Sequence, residues 1–223
     1  MSQDSLEIRI SKKHPLWIRW AHWIHFPVFM LMVLSGLQIY WANAAYTRFI
    51  DRQIFTYFGL DHALADGMYL HFSLAWIFVL NGIFYFLYLL VSRQWRELLP
   101  TKSSFKEAIQ VLLHDIGLRK DMPRHGKFNA AQRLAYTSVL IIGVIATISG
   151  FAIYKPLQLD WLLQIFVSYE IARLVHFISM IAFIMFFFVH IIQVVRSGWN
   201  NFQAMVTGYE MYQSCDFVAH KNL

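Results

Sequence analysis

Charge is scarce in this chain. Lys, Arg, Asp and Glu make up 14% of its 223 residues, where a soluble domain of this length carries about 25%. Cysteine is nearly absent as well. Cys215 stands alone, so neither an internal disulfide nor a cysteine-ligated iron–sulfur cluster can form, and no Cys-x-x-Cys-His motif offers covalent cofactor attachment. Four long apolar runs, at about 17–41, 68–91, 134–154 and 171–195, contain no Asp, Glu or Cys, and the third contains no histidine. Any cofactor must therefore be held non-covalently or by histidine. The net charge of +6 does not mark a nucleic-acid binder, because the Lys and Arg lie between apolar runs and form no continuous stripe. No long repeat and no low-complexity tract is evident.

What is present is apolar: 58% of the residues are hydrophobic. Each run is long enough to cross the hydrocarbon core as a helix, which needs about 20 residues. The first sixteen residues are polar, and the run from Trp17 exceeds the length of a signal-peptide core, so an uncleaved first span is expected. Trp17, Trp20, Trp23 and Trp41 suit the interfacial belt. Two amphipathic surface segments are expected at about 46–58 and 103–117. In the second, apolar residues recur at helical spacing from Phe105 to Leu113, with Ser103 or Ser104 as N-cap. Of the 19 Lys and Arg, only Arg48, Arg52, Lys155 and Arg173 fall on one side of the expected spans. The positive-inside rule then places both termini and the basic 92–129 connection in the cytoplasm. The expected fold is all-α, one membrane domain over 1–223 built as a four-helix bundle.

Histidines are the exception within the runs. The fourth carries His176 and His190, whose separation of fourteen residues returns the helix to within about 40° of the same face over a rise of about 21 Å. Ionisable side chains at such depths are costly and mark functional paths. Depth supplies each with a partner. His22, early in the first span, shares the cytoplasmic side with His190, while His71, opening the second span, shares the outer side with His176. Paired imidazoles from different helices are what six-coordinate b haem requires, and two stacked haems would carry electrons across most of the bilayer. The competing reading, a zinc or copper site in a transporter, calls for three or four ligands that usually include carboxylate or thiolate. His25 lies three residues after His22 and offers an alternative ligand, or a hydrogen bond to a quinone, a haem propionate or a backbone carbonyl.

Four features in order resemble the cytochrome b (gamma) subunits of membrane-bound formate dehydrogenase and nickel-iron hydrogenase. They are RWAHWIHFPVFMLMVLSG with His22-Trp23 ahead of Ser35-Gly36, the isolated His71, HGKFNAAQR ahead of the third span, and the His176/His190 spacing. The resemblance runs from about Arg19 to Gly208. It implies two haem b, with His71 and His176 ligating the outer iron and His22 and His190 the inner one. It also implies a quinone site, for menaquinone or ubiquinone, beside the inner haem with Asn129 and Gln132, to which His25 is a further candidate. Asn129 also reads as a helix N-cap. The partner implied is a periplasmic iron–sulfur or molybdenum-containing redox subunit, and the location is the bacterial inner membrane. The expected function is that of an electron-transfer subunit of an oxidoreductase complex. A self-sufficient diheme enzyme such as a superoxide:quinone oxidoreductase, or a metal transporter, are the alternatives.

Overall fold

The computed structural model describes residues 8–41, 57, 63–121 and 128–213. The expected surface segment at 46–58 lies outside these, Tyr57 excepted. In order the elements are β1 (Ile8–Lys12), α1 (Leu16–Trp41), α2 (Ala63–Val91), α3 (Trp95–Leu98), α4 (Ser104–Asp115), α5 (Ala130–Tyr154), α6 (Asp160–Leu163) running into a 3₁₀ turn (Gln164–Phe166), α7 (Tyr169–Arg196), α8 (Trp199–Thr207) and β2 (Tyr209–Gln213). Helices α1, α2, α5 and α7 are long and apolar enough to cross a membrane. They extend past the apolar runs into polar caps and first turns, so α2 starts at Ala63 and α5 at Ala130. Their large side chains face outward, among them Leu80, Phe84 and Leu87 on α2 and Ile181, Met185, Phe188 and Ile192 on α7. That arrangement suits lipid as the solvent and would be costly in water.

The chain divides into two compact units, 16–88 and the remainder. In the first, α1 and α2 run antiparallel. Asn81 meets Ala21 and His25 at one level, His71 meets Ser35 at another, and Gly67 lies against Gln38 and Ile39 beyond that. A Cβ on Gly67 would come within 3.3 Å of both side chains, so glycine is what lets the two backbones approach here.

In the second unit α5 and α7 form the matching hairpin. Lys155-Pro156 ends α5, and Ser168 restarts the chain as α7 by accepting a hydrogen bond from the Ile171 amide at 3.2 Å, a standard N-cap. Ala152, Leu162 and Ala172 are buried where α5, α6 and α7 meet, with Ile148, Phe151, Leu159 and Phe166 packed around them. The α3 end is tied to α5 by the Thr137 hydroxyl, which donates to the Leu98 carbonyl at 2.9 Å, and by Arg133, whose guanidinium donates to the Leu99 carbonyl. Ser103 is the N-cap residue of α4 by backbone position, but its side chain makes no capping bond. The Ser104 hydroxyl instead accepts from the Thr101 amide at 2.8 Å.

An addition to the all-helical expectation is a two-stranded antiparallel sheet that joins the two ends of the chain, pairing Ile10 with Met211 and Lys12 with Tyr209. Gly208, in the left-handed region at φ 91°, ends α8 and turns the chain into β2. Lys13 then binds Glu210 at 2.7 Å and Asn201 at 2.9 Å, while Asn200 makes two hydrogen bonds with the Met211 backbone.

Candidate functional site

His71 lies on α2 with Nδ1 at 3.1 Å from the Met32 carbonyl and 3.0 Å from the Ser35 hydroxyl. A carbonyl only accepts, so Nδ1 carries the proton. The serine geometry agrees, because its hydroxyl hydrogen is directed to the Leu31 carbonyl at 2.7 Å, which leaves the oxygen to accept from the imidazole. Nε2 is then the nitrogen with the lone pair. The ring sits over Gly36, where an added Cβ would lie 3.2 Å from Cε1.

The second unit repeats this arrangement. His176 on α7 has Nδ1 at 3.0 Å from the Ala146 carbonyl and 3.2 Å from the Ser149 hydroxyl. Ser149 donates to the Ile145 carbonyl at 2.7 Å, and a Cβ on Gly150 would lie 3.1 Å from His176 Cε1. Ser35 and Ser149 are both fully buried. Each histidine therefore has its Nδ1 tied to the preceding membrane helix of its own hairpin, in the tautomer that makes Nε2 a metal donor.

The correspondence extends along the chain, although it is too short and too diverged to read as a long repeat. Sixteen residues separate Arg19 from Ser35 and Arg133 from Ser149, with Ala21 and Ala135 in register. On the return helices, Gly67 and Ala172 stand four residues before His71 and His176, and Phe72 and Phe177 follow them. His22 and His190 have no histidine counterpart in this frame, since Tyr136 and Tyr85 occupy the equivalent positions.

His22 and His190 are half-buried. The His22 ring meets Trp23 edge-on with centroids 5.1 Å apart, and His190 stacks on Phe186 one turn earlier, at 5.9 Å and 8° between planes. His25 is in a different state from His71 and His176. Asn81 reaches it from α2, its side-chain nitrogen donating to the Ala21 carbonyl at 2.8 Å and to His25 Nδ1. The Ala21 carbonyl fixes which end of the amide faces it, so His25 Nδ1 accepts, and a neutral His25 carries its proton on Nε2. Asn81 is the partner that sequence reasoning missed. A lone asparagine in an otherwise apolar run was the available signal.

Asn129 caps α5. Its Oδ1 accepts from the Gln132 amide at 2.8 Å, and Gln132 Oε1 accepts from the Asn129 amide at 3.0 Å, a reciprocal capping box. The box uses both side-chain oxygens and leaves both amide NH₂ groups as donors. Among the described residues no group of three or more His, Cys, Asp and Glu gathers as a metal site would require. Replacing Asn129 by alanine should lower stability by about 1 kcal/mol, read as a lower thermal midpoint in detergent; an unchanged midpoint would show that the box contributes nothing.

A family description of prokaryotic cytochrome b561 matches residues 13–208. A curated relative from Azospira oryzae, named "Putative protein-methionine-sulfoxide reductase subunit YedZ1", is 30% identical over 197 residues, covering 88% of this chain and 96% of the relative. The family is broader than the formate dehydrogenase and hydrogenase subunits that the motifs resemble. With four membrane-length helices and histidines prepared as nitrogen donors, this chain belongs to the prokaryotic cytochrome b561 family, and is a multi-pass membrane b-type cytochrome of electron transfer.

Proposed function

We propose that the chain is a diheme membrane subunit that carries electrons between the quinone pool on the cytoplasmic side and a redox subunit on the outer side of the bacterial inner membrane. The observation that carries this reading is the paired preparation of His71 and His176, each with Nδ1 protonated and anchored and a glycine beneath the ring. The donor set fits haem b: neutral imidazoles with Nε2 as lone-pair nitrogen, a fixed outer-shell acceptor and apolar surroundings. His71 and His176 would hold the outer haem, and His22 and His190 the inner one. A bis-histidine b haem, when bound, passes single electrons and leaves no coordination position open to oxygen.

The residues around these ligands have separate tasks. Ser35 and Ser149 hold two rings in place. Asn81 keeps the His25 proton on Nε2, which turns His25 away from iron ligation through that atom and toward donating a hydrogen bond. Asn129 and Gln132, at the cytoplasmic end of α5, present amide donors suited to a quinone carbonyl. The reductase name of the relative favours flow outward from quinol to a periplasmic reductase subunit with molybdenum or iron–sulfur chemistry. The balance is consistent: oxidation of one quinol releases two electrons and two protons, and reduction of a sulfoxide to thioether and water consumes as many.

Purification in mild detergent tests the whole reading. Two b haems per chain by pyridine haemochrome, bis-histidine spectra and a co-purifying outer subunit are expected. A chain with one haem or none overturns the diheme assignment. A haem-loaded chain that reduces quinone with superoxide and no second subunit overturns the subunit assignment. For the quinone site the informative change is Asn129→Ser, because serine caps as well as asparagine but has no NH₂ group. The thermal midpoint should stay while the KM for quinol rises several-fold. An unchanged KM would remove Asn129 from the site.

A further inference from the structure

The two hairpins present their histidines by one device. Within each, a serine in the outgoing helix donates its hydroxyl hydrogen four residues back along its own helix, to Leu31 at 2.7 Å in one case and Ile145 at 2.7 Å in the other. Its oxygen then faces the Nδ1–H of the histidine in the return helix, at 3.0 Å for His71 and 3.2 Å for His176. The next residue is a glycine, over which the ring lies. Neither serine is explained by helix preference, since serine is indifferent inside a helix and competes for its backbone carbonyls. Alanine would serve the helix better. A buried hydroxyl kept at both equivalent positions, with its hydrogen consumed locally, is an oriented acceptor.

We infer that Ser35 and Ser149 are positioning residues for the outer haem: they fix the ring planes of His71 and His176 and, as second acceptors for the Nδ1 protons, make the Nε2 donors more basic. This rests on the proposed ligand roles of the two histidines. A stronger imidazole donor stabilises ferric over ferrous iron, so the pair holds the outer haem at a lower potential than carbonyl acceptors alone would. The positions equivalent to His22 and His190 in the duplicated frame are Tyr136 and Tyr85, so the frame repeats the device only for His71 and His176. The outer haem would thus be tuned by the same device from each of its two ligands.

The test is a redox titration of purified Ser35→Ala and Ser149→Ala variants with haem quantified and ferric electron paramagnetic resonance recorded. Each variant should raise the midpoint potential of the same one of the two haems, shift its g-values, and weaken haem retention about tenfold. The Ser35→Cys variant, nearly equal in size but a weaker acceptor, should fall between wild type and alanine. Unchanged potential and g-values in both alanine variants overturn the inference. If those variants are silent while His71→Ala still removes a haem, the ligand roles stand and the positioning role alone fails. A wild-type chain without haem overturns both.

Discussion

His176→Ala should halve the haem content of the purified protein, removing one b centre and leaving the other with its spectrum intact. The reason is local. His176 is the donor that its hairpin prepares most completely, with Nδ1 bound to the Ala146 carbonyl and Ser149 and the ring over Gly150. Alanine removes the nitrogen and leaves a void lined by Ser149 and apolar side chains. A haem left with a single histidine ligand would be high-spin and readily lost. His71→Ala should give the same haem content and the same residual spectrum, because the two are proposed to share one iron. His190→Ala and His22→Ala should remove the other centre. His25→Ala should leave both haems, since its Nδ1 accepts from Asn81 and its Nε2 carries the proton. Pyridine haemochrome assays with low-temperature spectra separate these outcomes. If His71→Ala and His176→Ala removed different haems, the depth pairing would be wrong. If His25→Ala removed one, the tautomer argument would be.

The membrane helices were legible because the signal that defines them is composition over about 20 residues, and lipid leaves the backbone no other option than internal hydrogen bonding. Their ends were less so. Asn129 and Ser168 lie outside the apolar runs, and the caps they make lengthen α5 by about a turn and α7 by less. Contacts that join distant residues were not legible. The β1–β2 pair brings Ile10 to Met211, and five-residue strands with no turn between them leave no local trace. Asn81 reaches His25 across 56 positions, so the state of that histidine follows from a partner that periodicity does not reveal. The duplicated frame lies between these cases. Ser-Gly at equal distance from Arg-x-Ala, and a small residue four before His-Phe, were visible in the letters. Their meaning required the distances from Nδ1 to the serine oxygens.

Gly150→Ala should cost little stability and yet strongly disturb the haem proposed at His176. Two effects of similar size oppose one another in the apoprotein. Alanine inside a helix is favoured over glycine by about 1 kcal/mol, while crowding a packed contact costs about 1–3 kcal/mol. The added Cβ would lie 3.1 Å from His176 Cε1, closer than ordinary contact, so the ring must move by a few tenths of an ångström. It cannot do so without stretching its bonds to Ala146 and Ser149. The thermal midpoint of the apoprotein should therefore change by only a few degrees, whereas the bound haem should show broadened bands, altered g-values and faster loss. Gly36→Ala should do the same through His71, where the approach is 3.2 Å. Gly143→Ala is the control on the same helix: its Cβ would meet Phe183 at 3.7 Å, an ordinary contact, so the helix gains propensity and the haem spectrum stays as it was. Equal behaviour of Gly143→Ala and Gly150→Ala would show that the glycine beneath His176 serves helix packing and not the presentation of the imidazole.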